Sequence, residues 1–139
     1  MSYQEKRAWI YAVVAVVVPV AYTVTLLVRA PAAGLAASHY VVPMLVAIGG
    51  AIVLNIVVEA FAAGGAAKAE KGGDERDRQI GRRGEFVGFY VMSVGAIVPL
   101  VLAMREAPYF WIANSLYLSF ALAAAVSSVV KIVAYRRGM

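Results

Sequence analysis

A chain of 139 residues with 63% hydrophobic and only 15% charged residues carries more apolar surface than a soluble core of this size can hide, and it is expected to sit in lipid. The absence of cysteine closes disulfides, thiolate metal sites, thiol nucleophiles and palmitoylation. The formal charge of +5 raises nucleic acid as a partner, but the charges follow a membrane topology, so no direct nucleic-acid contact is expected.

Four apolar windows, about residues 8–28, 40–63, 86–104 and 111–134, each approach the ~20 residues that cross a ~30 Å hydrocarbon layer. The expected fold is all-α: an integral membrane four-helix bundle forming one domain over residues 1–139, with 64–85 as the connecting segment. Lys6 and Arg7, six basic residues from Lys68 to Arg83, and Lys131, Arg136 and Arg137 lie on one side of these spans; Arg29 and Arg105 lie on the other. That asymmetry predicts cytoplasmic termini and a cytoplasmic middle loop. Lys6-Arg7 followed by an apolar run and Ala30-Pro31-Ala32 superficially resembles a signal peptide. The run is too long for a signal core and proline disfavours cleavage, so a retained first span is expected.

In the first span, Trp9 and Tyr11 stand where amphipathic rings prefer the headgroup boundary. Pro19 falls near mid-membrane, removes a backbone donor and is expected to bend the helix, with Thr23 or Thr25 as partners for the freed carbonyl. The loop from Arg29 to His39 holds the only histidine, and no converging ligands accompany it, so no metal and no cofactor are expected. The second span contains its only carboxylate, Glu59, one turn after Asn55. Ala47, Ala51, Asn55 and Glu59 share a face by their spacing of four. An ionisable residue in a span is a functional candidate, but Glu59 lies close to the boundary, where a structural pairing competes with proton or ion handling.

The stretch from Asp74 to Leu102 reads as one long helix that starts in water and ends in lipid, and the chain is expected to organise around it. Asp74 suits an N-cap and Asp77 the third helical position, and Asp74 with Arg78 forms an i,i+4 pair. Glu75, Arg76, Asp77 and Arg78 complete a compact charged turn, the candidate partner-binding surface. Gly81, Gly84, Gly88 and Gly95 form a face on which another helix can approach closely. Arg82 and Arg83 are placed to meet anionic headgroups. Pro99 is a second mid-membrane proline. Tyr109, Phe110 and Trp111 form an aromatic cluster expected at the far boundary. In the last span Asn114, Ser115, Ser119, Ser127 and Ser128 can bond across helices or back onto their own backbone, and Lys131 can snorkel.

The two halves resemble each other. Pro19 matches Pro99, Arg29-Ala-Pro31 matches Arg105-Glu-Ala-Pro108, and Val57-Val58-Glu59 matches Val129-Val130-Lys131. Two tandem helical hairpins forming a parallel repeat would place Glu59 and Lys131 at equal depth, and these two charges are expected to associate.

Asp74-Glu75-Arg76, followed by Ile80, Gly84 and Phe89-Tyr90, resembles an uncharacterised family of small bacterial and archaeal multi-pass membrane proteins with an Asp-Glu-Arg motif before the third span. Such proteins are often encoded beside a helix-turn-helix regulator, and the resemblance implies a regulatory or sensing role. The expected function is therefore a non-enzymatic membrane adaptor whose charged helix start contacts a cytoplasmic protein partner or a second copy. A small oligomeric transporter or channel using Asn55, Glu59 and Lys131 is the alternative. A serine-lysine dyad of Ser127 and Lys131 has i,i+4 geometry but no accompanying oxyanion-hole sequence.

Overall fold

The computed structural model describes residues 3–32, 34, 39–64 and 75–138. Among them every regular element is a helix: α1 Tyr3–Val28, α2 Val41–Gly64, α3 Glu75–Gly95, α4 Ile97–Met104 and α5 Tyr109–Arg136. Helices α3 and α4 run on as one span, so four segments are long and apolar enough to cross a membrane. The chain is an all-α, multi-pass membrane protein built as a four-helix bundle. Asp74, expected as an N-cap and as the partner of Arg78, lies outside the described residues, as does segment 65–74.

The organising element is α5 rather than the third span. It packs against α1, α3 and α4, whereas α2 packs chiefly on α1. Small residues explain why α3 lies close to α5. A Cβ at Gly84 would stand 2.6 Å from Cγ and Cε of Lys131 and 3.0 Å from the Ser127 carbonyl oxygen. One at Gly88 would stand 3.1 Å from Ser127 Cβ, and one at Gly95 would stand 2.9 Å from Ser119 Cβ. The expected face is shorter than its heptad spacing suggested, because a Cβ at Gly81 would meet nothing within 4 Å.

The third span is not one uninterrupted helix. It breaks at Ala96, three residues before the buried Pro99. Pro99 has no N–H to give the Gly95 carbonyl, which lies at the i−4 position. The turn holds on either side through Ala96 N–H to the Met92 carbonyl at 2.8 Å and Leu100 N–H to the Ala96 carbonyl at 3.2 Å. The matching Pro19 leaves α1 continuous. Thr23 and Thr25 do not serve the carbonyl that Pro19 frees, which belongs to Ala15. Their hydroxyls donate to the carbonyls of Pro19 and Ala21, each at 2.8 Å.

At the end of the bundle opposite Arg7 and Glu59, Tyr22, Leu26 and Phe110 form a buried cluster joined by Tyr40, Met44, Ala47 and Tyr117. Within the aromatic run Phe110 turns inward and is only 5% exposed, while Tyr109 and Trp111 remain exposed and Trp111 packs edge-on against Phe110 with centroids 5.0 Å apart. Edge-to-face packing of Tyr22 on Tyr117, with centroids 5.1 Å apart, and of Tyr40 on Phe110, at 5.5 Å, fills this end. The Tyr22 hydroxyl donates across the helix interface to Asn114 Oδ1, whose Nδ2 donates back to the Phe110 carbonyl at 2.8 Å. Ser115 and Ser119 instead bond their own backbone. Tyr22→Phe removes the cross-helix bond and is expected to cost about 0.6–2 kcal/mol, read as a lower thermal midpoint in detergent. An unchanged midpoint would remove this bond from the account of stability.

Candidate functional site

The charged end is assembled from the start of α1, the end of α2, the start of α3 and the end of α5. Amphipathic helix ends bring these groups together: each span carries its charges beyond its apolar stretch, and the helices pack with those ends level. Arg7 Nε donates to Glu59 Oε1 at 2.9 Å, and Arg7 also reaches Gln4 Oε1 at 3.4 Å. The guanidinium lies 5.9 Å from the ring centroids of both Tyr3 and Tyr11, within cation–π range. The side chains of Arg7 and Glu59 are 35% and 23% exposed, so the pair is partly dehydrated. It ties α1 to α2.

This corrects the expected association of Glu59 with Lys131. The partner is Arg7, and Lys131 forms no ion pair among the described residues. The physical reason lies in the close approach of α3 to α5: the aliphatic stem of Lys131 is laid along Gly84, away from α2. The short connection between α1 and α2 held the missing signal. Arg7 lies 21 residues before the end of α1 and Glu59 lies 18 residues after the start of α2, so antiparallel neighbours bring the two to within about one helical turn of the same depth.

A second set of contacts ties α3 to α5. Arg76 Nη2 donates to the Tyr135 carbonyl at 3.1 Å and its guanidinium sits 5.7 Å from the Tyr135 ring centroid. The Tyr135 hydroxyl donates to Asp77 Oδ1 at 2.7 Å. A third contact ties α5 to α1, where Arg136 Nε lies 3.7 Å from Glu5 Oε1 and its guanidinium 5.5 Å from the Trp9 ring centroid. Sequence reasoning singled out neither Tyr135 nor Glu5, because a lone tyrosine or glutamate beside a span has many uses and only the packing selects one.

The charged turn is therefore divided. Arg76 and Asp77 face the bundle, whereas Glu75 and Arg78 form an exposed i,i+3 pair at 3.7 Å. Arg82 and Arg83 are exposed farther along α3. Ser127 lies against Gly88, and no hydrogen bond joins it to Lys131. Asn55 lies in the α2 face turned to the bundle, and its buried Oδ1 has no hydrogen-bond partner among the described residues. Among the described residues no group of three or more histidine, aspartate or glutamate side chains converges on a point.

Fold and site together define a multi-pass helical membrane protein closed at one end by an ionic and aromatic clasp. No family model matches the chain, and neither a curated protein nor a solved structure matches it.

Proposed function

We propose that the protein is a non-enzymatic membrane adaptor with a regulatory or sensing role, its charged end in the cytoplasm and the start of α3 its partner-binding surface. The observation that carries this reading is the division of one helical turn. Arg76 and Asp77 are held by Tyr135, while their neighbours Arg78 and Glu75 remain 65% and 66% exposed. A turn fixed in orientation on one side presents its charges on the other at a low cost in ordering entropy, which favours recognition. The excess of basic residues at this end supports the orientation. The Asp-Glu-Arg resemblance points the same way.

The transport reading draws on Asn55, Glu59, Lys131 and the prolines Pro19 and Pro99; of these groups Glu59 is engaged by Arg7.

The test is a double swap, Glu75→Arg with Arg78→Glu, which keeps a pair of opposite charges within the helix while reversing the presented pattern. A soluble protein that co-purifies with the native chain under gentle extraction is expected to be lost from the swapped one, with the thermal midpoint unchanged. Full retention of that companion would overturn the assignment of this surface.

A further inference from the structure

Two recesses follow the seam between α1 and α5. One is an apolar groove of about 580 Å³ whose third wall is α2, with Val14, Val18, Ile48 and Phe120 among its lining. The other is a polar recess of about 410 Å³ toward the charged end, whose third wall is α3. They meet at Tyr11 and Ala124, which line both. Along α5 the groove runs from Ala113 to Ala124, which at 1.5 Å per residue is about 16 Å. That is half of a ~30 Å hydrocarbon layer, the depth of one leaflet. An apolar groove this size loses dispersion contacts if left empty, and in a bilayer an acyl chain is the filler at hand.

Charges in the polar recess specify what the chain is attached to. Arg7 is engaged by Glu59, and Asp77 accepts from Tyr135. Lys131 and Glu85 also line the recess and form no ion pair among the described residues. One cation and one anion are thus left without a partner, and a headgroup carrying both signs answers both. Asn55, on the groove wall, makes no side-chain hydrogen bond among the described residues. The amide Nδ2 of that side chain can donate to an ester carbonyl, the group that separates headgroup from chain, while the buried Oδ1 is an acceptor that such a carbonyl does not serve.

We infer that this seam holds one zwitterionic glycerophospholipid from the leaflet on the charged side, its acyl chain in the α1–α2–α5 groove, its phosphate at Lys131 and its ammonium at Glu85. A purely anionic headgroup would satisfy Lys131 but crowd Glu85 with like charge, so discrimination comes from the carboxylate. The site stands independently of the adaptor reading.

The experiment is native mass spectrometry of the full chain with phosphatidylethanolamine or phosphatidylglycerol supplied separately at equal concentration. One phosphatidylethanolamine per chain is expected to survive activation that strips the other lipids, with retention at least about tenfold above phosphatidylglycerol, the scale of one charge-assisted contact. Glu85→Gln should erase that preference, and Lys131→Met, which keeps the stem along Gly84, should lower retention of both lipids. Ala121→Phe, projecting into the groove, should abolish retention. If Ala121→Phe does not fold, as judged by its helical circular dichroism, the two headgroup variants carry the test. Absence of a one-to-one lipid, equal retention of the two lipids, an undiminished preference in Glu85→Gln, or a lipid-free dimer would each overturn the inference.

Discussion

Gly88→Leu is expected to destabilise the bundle by roughly 1–3 kcal/mol or more, the cost of overpacking a close helix contact. A Cβ there would already stand 3.1 Å from Ser127 Cβ and 3.3 Å from the Ala123 carbonyl oxygen, and the latter is α5 backbone that cannot rotate away. The remaining leucine carbons have no place between the helices unless α3 lifts off α5. Lifting it would also pull Arg76 and Asp77 from Tyr135, so packing and clasp fail together. Gly81→Ala is the matched control. It adds a methyl group to open space and removes a flexible helical residue, and it is expected to stabilise by about 0.5–1 kcal/mol. Thermal unfolding of both variants in one detergent is the measurement. Equal midpoints would show that the closeness of α3 to α5 contributes nothing to stability.

Arg7→Ala is expected to loosen α2. It leaves the Glu59 carboxylate, with its side chain 23% exposed, without its cation, and it removes the only ion pair that joins α2 to another helix among the described residues. Breaking a fully buried pair costs about 3–5 kcal/mol, but water reaches both partners here, so about 1–3 kcal/mol is expected. Glu59→Gln in the same background should recover part of the loss, since it removes the stranded charge while keeping the shape. Hydrogen exchange along α2 reads the effect directly. Faster exchange confined to α2 is expected from Arg7→Ala, and uniform exchange across all helices would show that the pair does not hold α2 in particular.

The spans were legible because each is a long apolar run, and lipid demands that such runs satisfy their own backbone. Their partners were not legible. Gly84 and Gly88 announced a close approach, yet nothing in a glycine names the helix that approaches, and α5 emerged as the hub only from packing. Glu59 announced a need for a cation, and repeat symmetry pointed to Lys131 where simple adjacency of α1 and α2 would have pointed to Arg7. Pro19 and Pro99 were expected to act alike, but only the second interrupts its helix, directly after Gly95, where a side chain is missing as well as a donor. Tyr22 and Tyr135 carried no sequence signal at all. Each becomes informative only when a particular acceptor, Asn114 or Asp77, is brought within reach.

Helix α2 differs from its companions in burying none of its described side chains. Protein neighbours set the inclination of α1, α3 and α5, whereas α2 leans on α1 alone for most of its contact and turns the remainder of its circumference to acyl chains. Its tilt is therefore the one that bilayer thickness adjusts most freely: a thinner membrane is met by leaning α2 over, at a cost of a fraction of a kcal/mol per Å of mismatch. The Arg7–Glu59 pair ties the charged end of α2 to α1, so leaning α2 over loads that contact.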